Sequence, residues 1–491
     1  MMPARKDKNL WTHLMPDGMT DLTDLTIGEA AALLAEGEIT SLELTGGVLS
    51  RLAETEPCVR AYTVVCETAL AEAQRADRRR RDGALASSPL LGIPVAVKDL
   101  FHMSDASTEA GSRVLKGFRP DKDASTVARL REAGAVLVGK TVMHEFAYGM
   151  NVPPTRNPWR LDSYPGGSSA GSAVAVAVGS AFAALGTDTA GSVRTPASVN
   201  GVVGLKPTYG RISRFGVIPA SPSLDHVGII SRSVGDSALL LGVLAGHDPL
   251  DPTSLLEPSQ DWIAESRREG LAGVRLGIDR AYFLDWPGVA GGVRQAVVEA
   301  LQVLKGLGAC IVEVSIPALE WSSVVGSTIM TVDYSTWHQQ LLRTHFDDYE
   351  PGTRRMLMLG LMVPAVTYAQ AQRVRRVVVQ GVREAFASAR LDALVAPTIP
   401  VTAPTIAAMT DADGAIDLSG LVHHSLPANV TGLPALTVPC GLDGGMPVGL
   451  QIIGRPLDEG TILGIGSAFE RATPWSRRRE VALSHIGRPR G

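Results

Sequence analysis

Aromatic residues and cysteines are scarce in this chain of 491 residues. Phe, Trp and Tyr together contribute 5% of it, and the four cysteines are Cys58, Cys66, Cys310 and Cys440. The cysteines form no CxxC pair and no cluster with histidine, which argues against a disulfide framework and against a zinc site. We therefore expect free thiols in a reducing compartment.

Charge of one sign and long hydrophobic runs are also missing. The chain has 46 Lys and Arg residues against 50 Asp and Glu, so it has no overall attraction to nucleic acid or to anionic membranes. Its first eleven residues contain no apolar segment, which argues against a signal peptide. The window 168–185 approaches membrane-spanning length, but its glycines and serines favour a buried helix. These absences predict a cytoplasmic protein without nucleic-acid or membrane partners.

Short apolar runs alternate with helical patterns along the chain. The run 90–97 has the length of a buried strand, 123–134 has a helical pattern, and 135–139 is a second candidate strand. Such alternation is typical of a largely parallel sheet that carries its chemistry at the carboxyl ends of the strands. No long linker interrupts the pattern, so we expect no division into separate domains.

The most informative segment is 165–198, which reads PGGSSAGSAVAVAVGSAFAALGTDTAGSVRTPAS. It carries no charge before Asp188, and Asp188 and Arg194 then flank Ser192. Small side chains let backbones approach closely, and glycines adopt dihedrals that other residues avoid. We expect two hydroxyl-bearing turns, at Ser168 and Ser192, at the two ends of one tightly packed element, and we interpret this segment as the active centre.

This segment resembles the signature of the amidase signature family of serine hydrolases. Upstream, residues 91–101 (LGIPVAVKDLF) resemble the lysine strand of that family, and residues 429–458 (NVTGLPALTVPCGLDGGMPVGLQIIGRPLD) resemble its C-terminal hairpin. The resemblance implies an α/β fold with a large twisted mixed β-sheet covered by helices on both faces. It also implies one domain over residues 25–491, preceded by an N-terminal extension at 1–24.

The resemblance implies a catalytic triad of Lys98, Ser168 and Ser192. A serine hydroxyl is a weak nucleophile until a base removes its proton. In this family the second-turn serine, here Ser192, is the nucleophile, and a neutral lysine acts on it through a serine in a cis peptide, here Ser168. Lys98 follows the apolar run 90–97, and burial favours the uncharged form of a lysine. No metal ion and no organic cofactor is implied.

Backbone N–H groups beside the nucleophile are the expected oxyanion hole, since preorganised donors stabilise a developing negative charge. Many relatives have glycine where this chain has Ala190, whose methyl group restricts the dihedral angles available to the loop. The residues assigned to the hole are Thr189, Ala190, Gly191 and Ser192, and those expected to support the site are Gly167, Ser169, Asp188 and Arg194.

A methionine-bearing helical segment at about 319–388 is expected to line the substrate cleft, because methionine adapts to irregular apolar ligands. An acidic residue that some relatives carry before the NxxGLP motif is replaced here by Val422. We therefore expect an apolar or aryl amide, or a carbamate, as a small-molecule substrate, and a homodimer is left open. The expected substrate contacts are Tyr148, Met150, Met330, Tyr334 and Arg375.

Two alternatives are open at this stage. The A subunit of the tRNA-dependent glutamine amidotransferase shares the signature, and residues 368–375 resemble its segment in which the last arginine, here Arg375, binds the amino acid carboxylate. The second alternative is an α/β-hydrolase esterase with Ser169 as nucleophile, because residues 167–171 fit G-x-S-x-G. That motif requires a preceding strand, whereas residues 157–165 have loop chemistry.

Overall fold

One large mixed β-sheet organises the chain in the computed structural model, which describes residues 21–83, 88–410, 416–418 and 420–475. Most of the expected N-terminal extension, residues 1–20, lies outside the described residues. The strands of the described part are β1 Tyr62–Val65, β2 Pro94–Lys98, β3 Val136–Thr141, β4 Ala183–Asp188, β5 Val203–Lys206, β6 His226–Ser231, β7 Arg275–Ile278, β8 Cys310–Glu313, β9 Ala393–Pro397, β10 Ala435–Asp443 and β11 Met446–Gly454. The α-helices are α1 Ile27–Glu36, α2 Ser41–Val59, α3 Ala69–Arg81, α4 Ser125–Glu132, α5 Ala170–Val178, α6 Arg194–Asn200, α7 Val234–Leu244, α8 Trp262–Ser266, α9 Arg280–Phe283, α10 Gly291–Gly306, α11 Ser322–Thr344, α12 Pro351–Met362, α13 Ala365–Ser388, α14 Ile406–Met409, α15 Leu426–Thr431 and α16 Glu459–Ala472.

The strands follow the order β1-β3-β2-β4-β6-β5-β10-β11-β9-β7-β8. Parallel pairs occur towards the two ends, between β3 and β2, β2 and β4, β9 and β7, and β7 and β8. The pairs from β4 through β6, β5, β10 and β11 to β9 are all antiparallel. The expectation of a largely parallel sheet is therefore wrong for the centre, where a hairpin from the end of the chain is inserted between β5 and β9.

Helices cover both faces of this sheet, as the sequence predicts. A Cβ atom placed on Gly466 of α16 would lie 2.4 Å from Leu436 Cδ2 of β10. The next residue along β10, Thr437, points to the opposite face, where a Cβ on Gly449 would meet both Thr437 and Ser198 of α6. The predicted α/β class with a large mixed sheet is confirmed.

The segment 165–198, which carries both serine turns, places two elements between those turns rather than one. Helix α5 carries the run that follows Ser169, and β4 returns the chain to the sheet before the second turn and α6. Gly171 permits this packing, because a Cβ there would lie 2.2 Å from the carbonyl oxygen of Ala61. The expected single element between the two serine turns is therefore corrected to a helix and a strand, which bring both turns to the end of β4.

The window 168–185, which approaches membrane-spanning length in the sequence, is divided between α5 and β4. Every residue of α5 is buried against the protein. Among the residues that the structure describes, no helix is both long and apolar enough to cross a membrane.

Candidate active site

Lys98 occupies the end of β2 and is completely buried. Its Nζ donates hydrogen bonds to three hydroxyl oxygens, at 2.8 Å to Ser168, 3.0 Å to Ser169 and 2.7 Å to Thr187. Burial lowers the pKa of Lys98 to about 7, although the nearby carboxylate of Asp188 opposes this shift. A lysine in this environment exchanges a proton near neutral pH and is a suitable general base.

The two serine turns meet beside this lysine. The peptide bond between Gly167 and Ser168 is cis, the arrangement that the family resemblance implies. The backbone N–H of Ser169 donates to the carbonyl oxygen of Ser192 at 3.2 Å, which joins the first turn to the second. Gly167 has no space for a side chain, since a Cβ would lie 2.3 Å from Nε2 of His144. As a result, Ser168 and Ser192 line the same pocket.

A buried ion pair holds the second turn. Arg194 donates from its Nη2 to Asp188 Oδ1 at 2.8 Å, and neither side chain is exposed. Burial alone would raise the pKa of Asp188, but the Arg194 guanidinium and a hydrogen bond from Asn429 lower it below its usual range. Arg194 also bonds to Gln451 and to the carbonyl oxygen of Ser425. Neither Asp188 nor Arg194 lines the pocket, so their contacts are those of supporting residues.

The expected oxyanion hole differs from the structure at one position. The Gly191 N–H donates to Asp188 Oδ1 at 2.8 Å and is therefore already used inside the turn. Gly191 has φ +110°, and a Cβ there would lie 2.2 Å from the Ser425 hydroxyl. The N–H groups of Thr189, Ala190 and Ser192 have no acceptor among the described residues, which leaves three candidate donors instead of four.

Two segments that are distant in the sequence also hold this turn. The Ser425 hydroxyl donates to the carbonyl oxygen of Ala190 at 2.8 Å. On the other side, the Thr189 hydroxyl donates to Asp225 at 2.7 Å. Both contacts join residues far apart in sequence, so no local pattern could reveal them.

The pocket in front of the two serines has a volume of about 200 Å³ and is mainly apolar. Three of the expected substrate contacts line it, namely Tyr148, Met150 and Met330. Met356 of helix α12 and Val422, in the turn before α15, add to its apolar wall. The remaining lining residues are His144, Ala147, Gly149, Tyr164, Gly167, Ser168, Thr189, Ala190, Ser192, Thr195, Ser327, Thr331, Asp417, Leu418 and Leu421.

The other two expected contacts do not reach the pocket. Tyr334 is fully buried behind it and stacks on Tyr148, with ring centroids 4.2 Å apart. The guanidinium of Arg375 bonds to the hydroxyl and carbonyl oxygens of Ser223 and to the carbonyl oxygen of Val430. Arg375 therefore joins helix α13 to helix α15 and to the loop that carries Ser223. The helical periodicity of the α13 sequence does not predict these contacts.

The contacts of Ser169 do not fit the nucleophile of an α/β-hydrolase. Its hydroxyl accepts a hydrogen bond from Lys98 and donates to the carbonyl oxygen of Thr187 at 3.3 Å. No histidine in the described part of the chain bonds to it, and no strand directly precedes the turn. His144, which lies against Gly167 of this turn, bonds to the carbonyl oxygen of Gly149 and to Tyr164, and burial lowers its pKa to about 4.

No group of three or more His, Cys, Asp or Glu side chains is placed to hold a metal ion within the described ranges. Beside Ser168 and Ser192, the polar groups are hydroxyls, backbone N–H groups and the lysine behind Ser168, while His144 and Asp417 also line the pocket. The arrangement is suited to proton transfer between hydroxyls and an amine and to attack on a carbonyl carbon.

The sequence of this chain matches a known protein family. The amidase family model matches residues 43–463. The chain belongs to the amidase family. A relative from Chloroflexus aggregans, named as the A subunit of glutamyl-tRNA(Gln) amidotransferase, is 42% identical and aligns over 94% of this chain and 99% of its own length.

Solved amidase structures share the fold. The peptide amidase from Stenotrophomonas maltophilia has a TM-score of 0.81 and 34% identity, covering 91% of this chain and 96% of its own. The A subunit of glutamyl-tRNA(Gln) amidotransferase from Thermotoga maritima has a TM-score of 0.77 and 33% identity, covering 93% and 96%. The chain is thus an amidase-signature enzyme that acts on carbon–nitrogen bonds.

These relatives correct one expectation from the sequence. We expected a small-molecule substrate as the partner, with no nucleic acid and with a homodimer left open. Relatives that are 41–42% identical over nearly the whole chain are instead named as one component of an amidotransferase for glutamyl-tRNA(Gln). The prediction was wrong because it used only the net charge of this chain. A chain with a near-neutral net charge can still work beside a partner chain that binds nucleic acid.

Proposed function

We propose that this amidase-signature enzyme is the A subunit of a glutamine-dependent amidotransferase, which releases ammonia from the side-chain amide of glutamine for use with a partner chain. The observation that carries the proposal is the 42% identity to a relative named as such an A subunit, over 94% of this chain and 99% of the relative. The buried Lys98 beside Ser168 supports the hydrolytic half of that reaction.

In this proposal Ser192 attacks the amide carbonyl, and its proton passes through Ser168 to neutral Lys98. The same proton then returns through Ser168 to the departing nitrogen, which leaves as ammonia. Water attacks the resulting acyl-enzyme, again giving its proton to the relay, and releases the carboxylic acid and Ser192. The N–H groups of Thr189, Ala190 and Ser192 are the proposed donors to the oxyanion in both steps.

A second candidate concerns the substrate of the same site. The pocket wall formed by Met330, Met356 and Val422 favours an apolar or aryl amide, or a carbamate of the same shape. The first candidate would need Arg375 to bind the carboxylate of glutamine. The guanidinium of Arg375 instead donates hydrogen bonds to the carbonyl oxygens of Ser223 and Val430. Asp417, the one charged side chain of the described lining, instead suits a substrate with an amino group, such as glutamine, and so favours the first candidate.

Ammonia or amine release from four substrates tests both candidates: glutamine, a primary aromatic amide, an aryl anilide and an aryl carbamate. We expect Ser192→Ala to abolish release from every active substrate. Ser180→Ala is a matched control, since Ser180 is buried near the end of α5 and does not line the pocket. Release from glutamine supports the amidotransferase component, and release from the anilide or carbamate alone supports the second candidate. Full activity in Ser192→Ala would refute both.

The proposed role of Lys98 predicts a pH profile. The neutral amine is the active form, so kcat should rise as pH increases through about 7. It should level off roughly one unit above that value, where deprotonation is nearly complete. The measurement is kcat at saturating substrate between about pH 5 and about pH 9. A flat profile over this interval would show that the protonation state of Lys98 does not limit turnover.

We also propose one domain over residues 25–491 and a cytoplasmic location. A single continuous sheet includes strands from Tyr62 to Gly454, which supports one domain. All four cysteines are free, which is typical of proteins in reducing compartments.

A further inference from the structure

Three hydroxyl groups surround the amine of Lys98, and the proposed relay uses one of them. Ser168 lies between the lysine and the pocket, whereas Ser169 and Thr187 contact the same Nζ at 3.0 and 2.7 Å. We propose that Thr187, acting with Ser169, aims the lone pair of neutral Lys98 at Ser168. This inference rests on the proposed catalytic role of Lys98 and extends it to a positioning residue on β4.

The number of donors on a lysine makes this orientation necessary. A protonated lysine has three N–H donors and no lone pair, so it is satisfied by three hydroxyl acceptors. The neutral amine has two N–H groups and one lone pair, which can face any of the three oxygens. Proton transfer from Ser168 requires the lone pair to face that hydroxyl, so the two N–H groups must point to Ser169 and Thr187.

The other hydrogen bonds of Ser169 determine whether its hydroxyl donates to Lys98 or accepts from it. Its hydroxyl hydrogen is directed to the carbonyl oxygen of Thr187 at 3.3 Å, and its oxygen accepts the Thr187 N–H at 3.3 Å. A hydroxyl has one hydrogen, so Ser169 has none left for the lysine. It therefore accepts from Lys98 and holds the first of the two N–H groups.

Thr187 is different, because its hydroxyl hydrogen has no acceptor among the described residues. Thr187 also lines a second cavity of about 400 Å³, whose lining includes Leu100, Ile218 and Asp225 and which shares no residue with the substrate pocket. A cavity of this volume has room for water, which can accept the Thr187 hydrogen. The Thr187 oxygen is then an acceptor for Lys98 and holds the second N–H group.

The test compares Thr187→Val, which removes the hydroxyl at similar volume, with Thr187→Ser, which retains it. In Thr187→Val, kcat on the best substrate should fall about 10- to 100-fold at unchanged KM, because the lone pair is no longer directed. The acid limb of the pH profile should also move to lower pH, since the ammonium form loses one acceptor. Thr187→Ser should keep kcat within about threefold of the parent, and thermal unfolding shows whether both variants are folded.

Several results would overturn this inference. Unchanged or higher kcat in Thr187→Val, or an acid limb moved to higher pH, would mean that Thr187 instead donates to the lone pair. An equal loss in Thr187→Ser would mean that volume matters and the hydroxyl does not. The proposed function fails separately, since it requires Ser192→Ala to be inactive whatever Thr187→Val does.

Discussion

Replacing Lys98 by methionine is expected to lower kcat by about 10⁴-fold or more, the size of effect seen when one member of a serine relay is removed. Within the described residues, no other side chain bonds to the Ser168 hydroxyl, so no second base can take over. Methionine has nearly the volume of lysine and no charge, which suits a fully buried position. The fold should therefore persist while turnover is lost.

The measurement is kcat on the best substrate of the panel, with far-UV circular dichroism and thermal unfolding on the same samples. Activity within tenfold of the parent in a folded Lys98→Met variant would contradict the assignment of Lys98 as base. A matching loss in Ser168→Ala is expected, because the proposed relay from Ser192 reaches Lys98 through the Ser168 hydroxyl, which is bonded to the lysine.

Arg194→Met is expected to destabilise the protein by about 3–5 kcal/mol, the usual effect of removing one partner of a buried ion pair. Asp188 would keep its negative charge in a site with no exposure and without the guanidinium that lowers its pKa. The loss would extend to the bonds that Arg194 makes to Asn429 and to the carbonyl oxygen of Ser425. Urea unfolding of the two proteins measures the difference in free energy of unfolding.

Arg455→Met provides the matched control for this experiment. Arg455 pairs with Asp392 at 2.8 Å on the surface, where its side chain is 48% exposed. Exposed pairs of this kind contribute about 0–1 kcal/mol, so the control should unfold close to the parent. Equal effects of the two substitutions would show that burial of the Asp188–Arg194 pair does not matter for stability.

Local patterns in the sequence predicted the parts of the fold that depend on neighbouring residues. The apolar run before Lys98 is a buried strand, and the small residues after Ser169 form a fully buried helix. Strand β6, at His226–Ser231, was not predicted, although it lies between β4 and β5. The order of strands in the sheet depends on pairing between segments that are distant in the sequence. A local periodicity predicts a strand but not its neighbours in the sheet.

For the candidate site too, the sequence predicted the local motifs but not the contacts between distant segments. Gly167, Ser168 and Ser192 belong to two short motifs, and the structure brings both motifs to one pocket. Tyr334 and Arg375 lie on helices whose periodicity does not show which turn faces the cleft, and neither reaches it. No sequence pattern indicates that the Gly191 N–H is used by Asp188, because that depends on the shape of the turn.

By itself, the sequence determined the family, the mixed α/β class and the residue types of the candidate relay, since these depend on motifs of a few adjacent residues. Only the tertiary structure decided which hydroxyls surround Lys98, how Asp225 and Ser425 hold the second turn, and which side chains line the pocket. The physical reason is that hydrogen bonds and burial act over a few ångströms, and folding creates those distances between residues that are far apart in the chain.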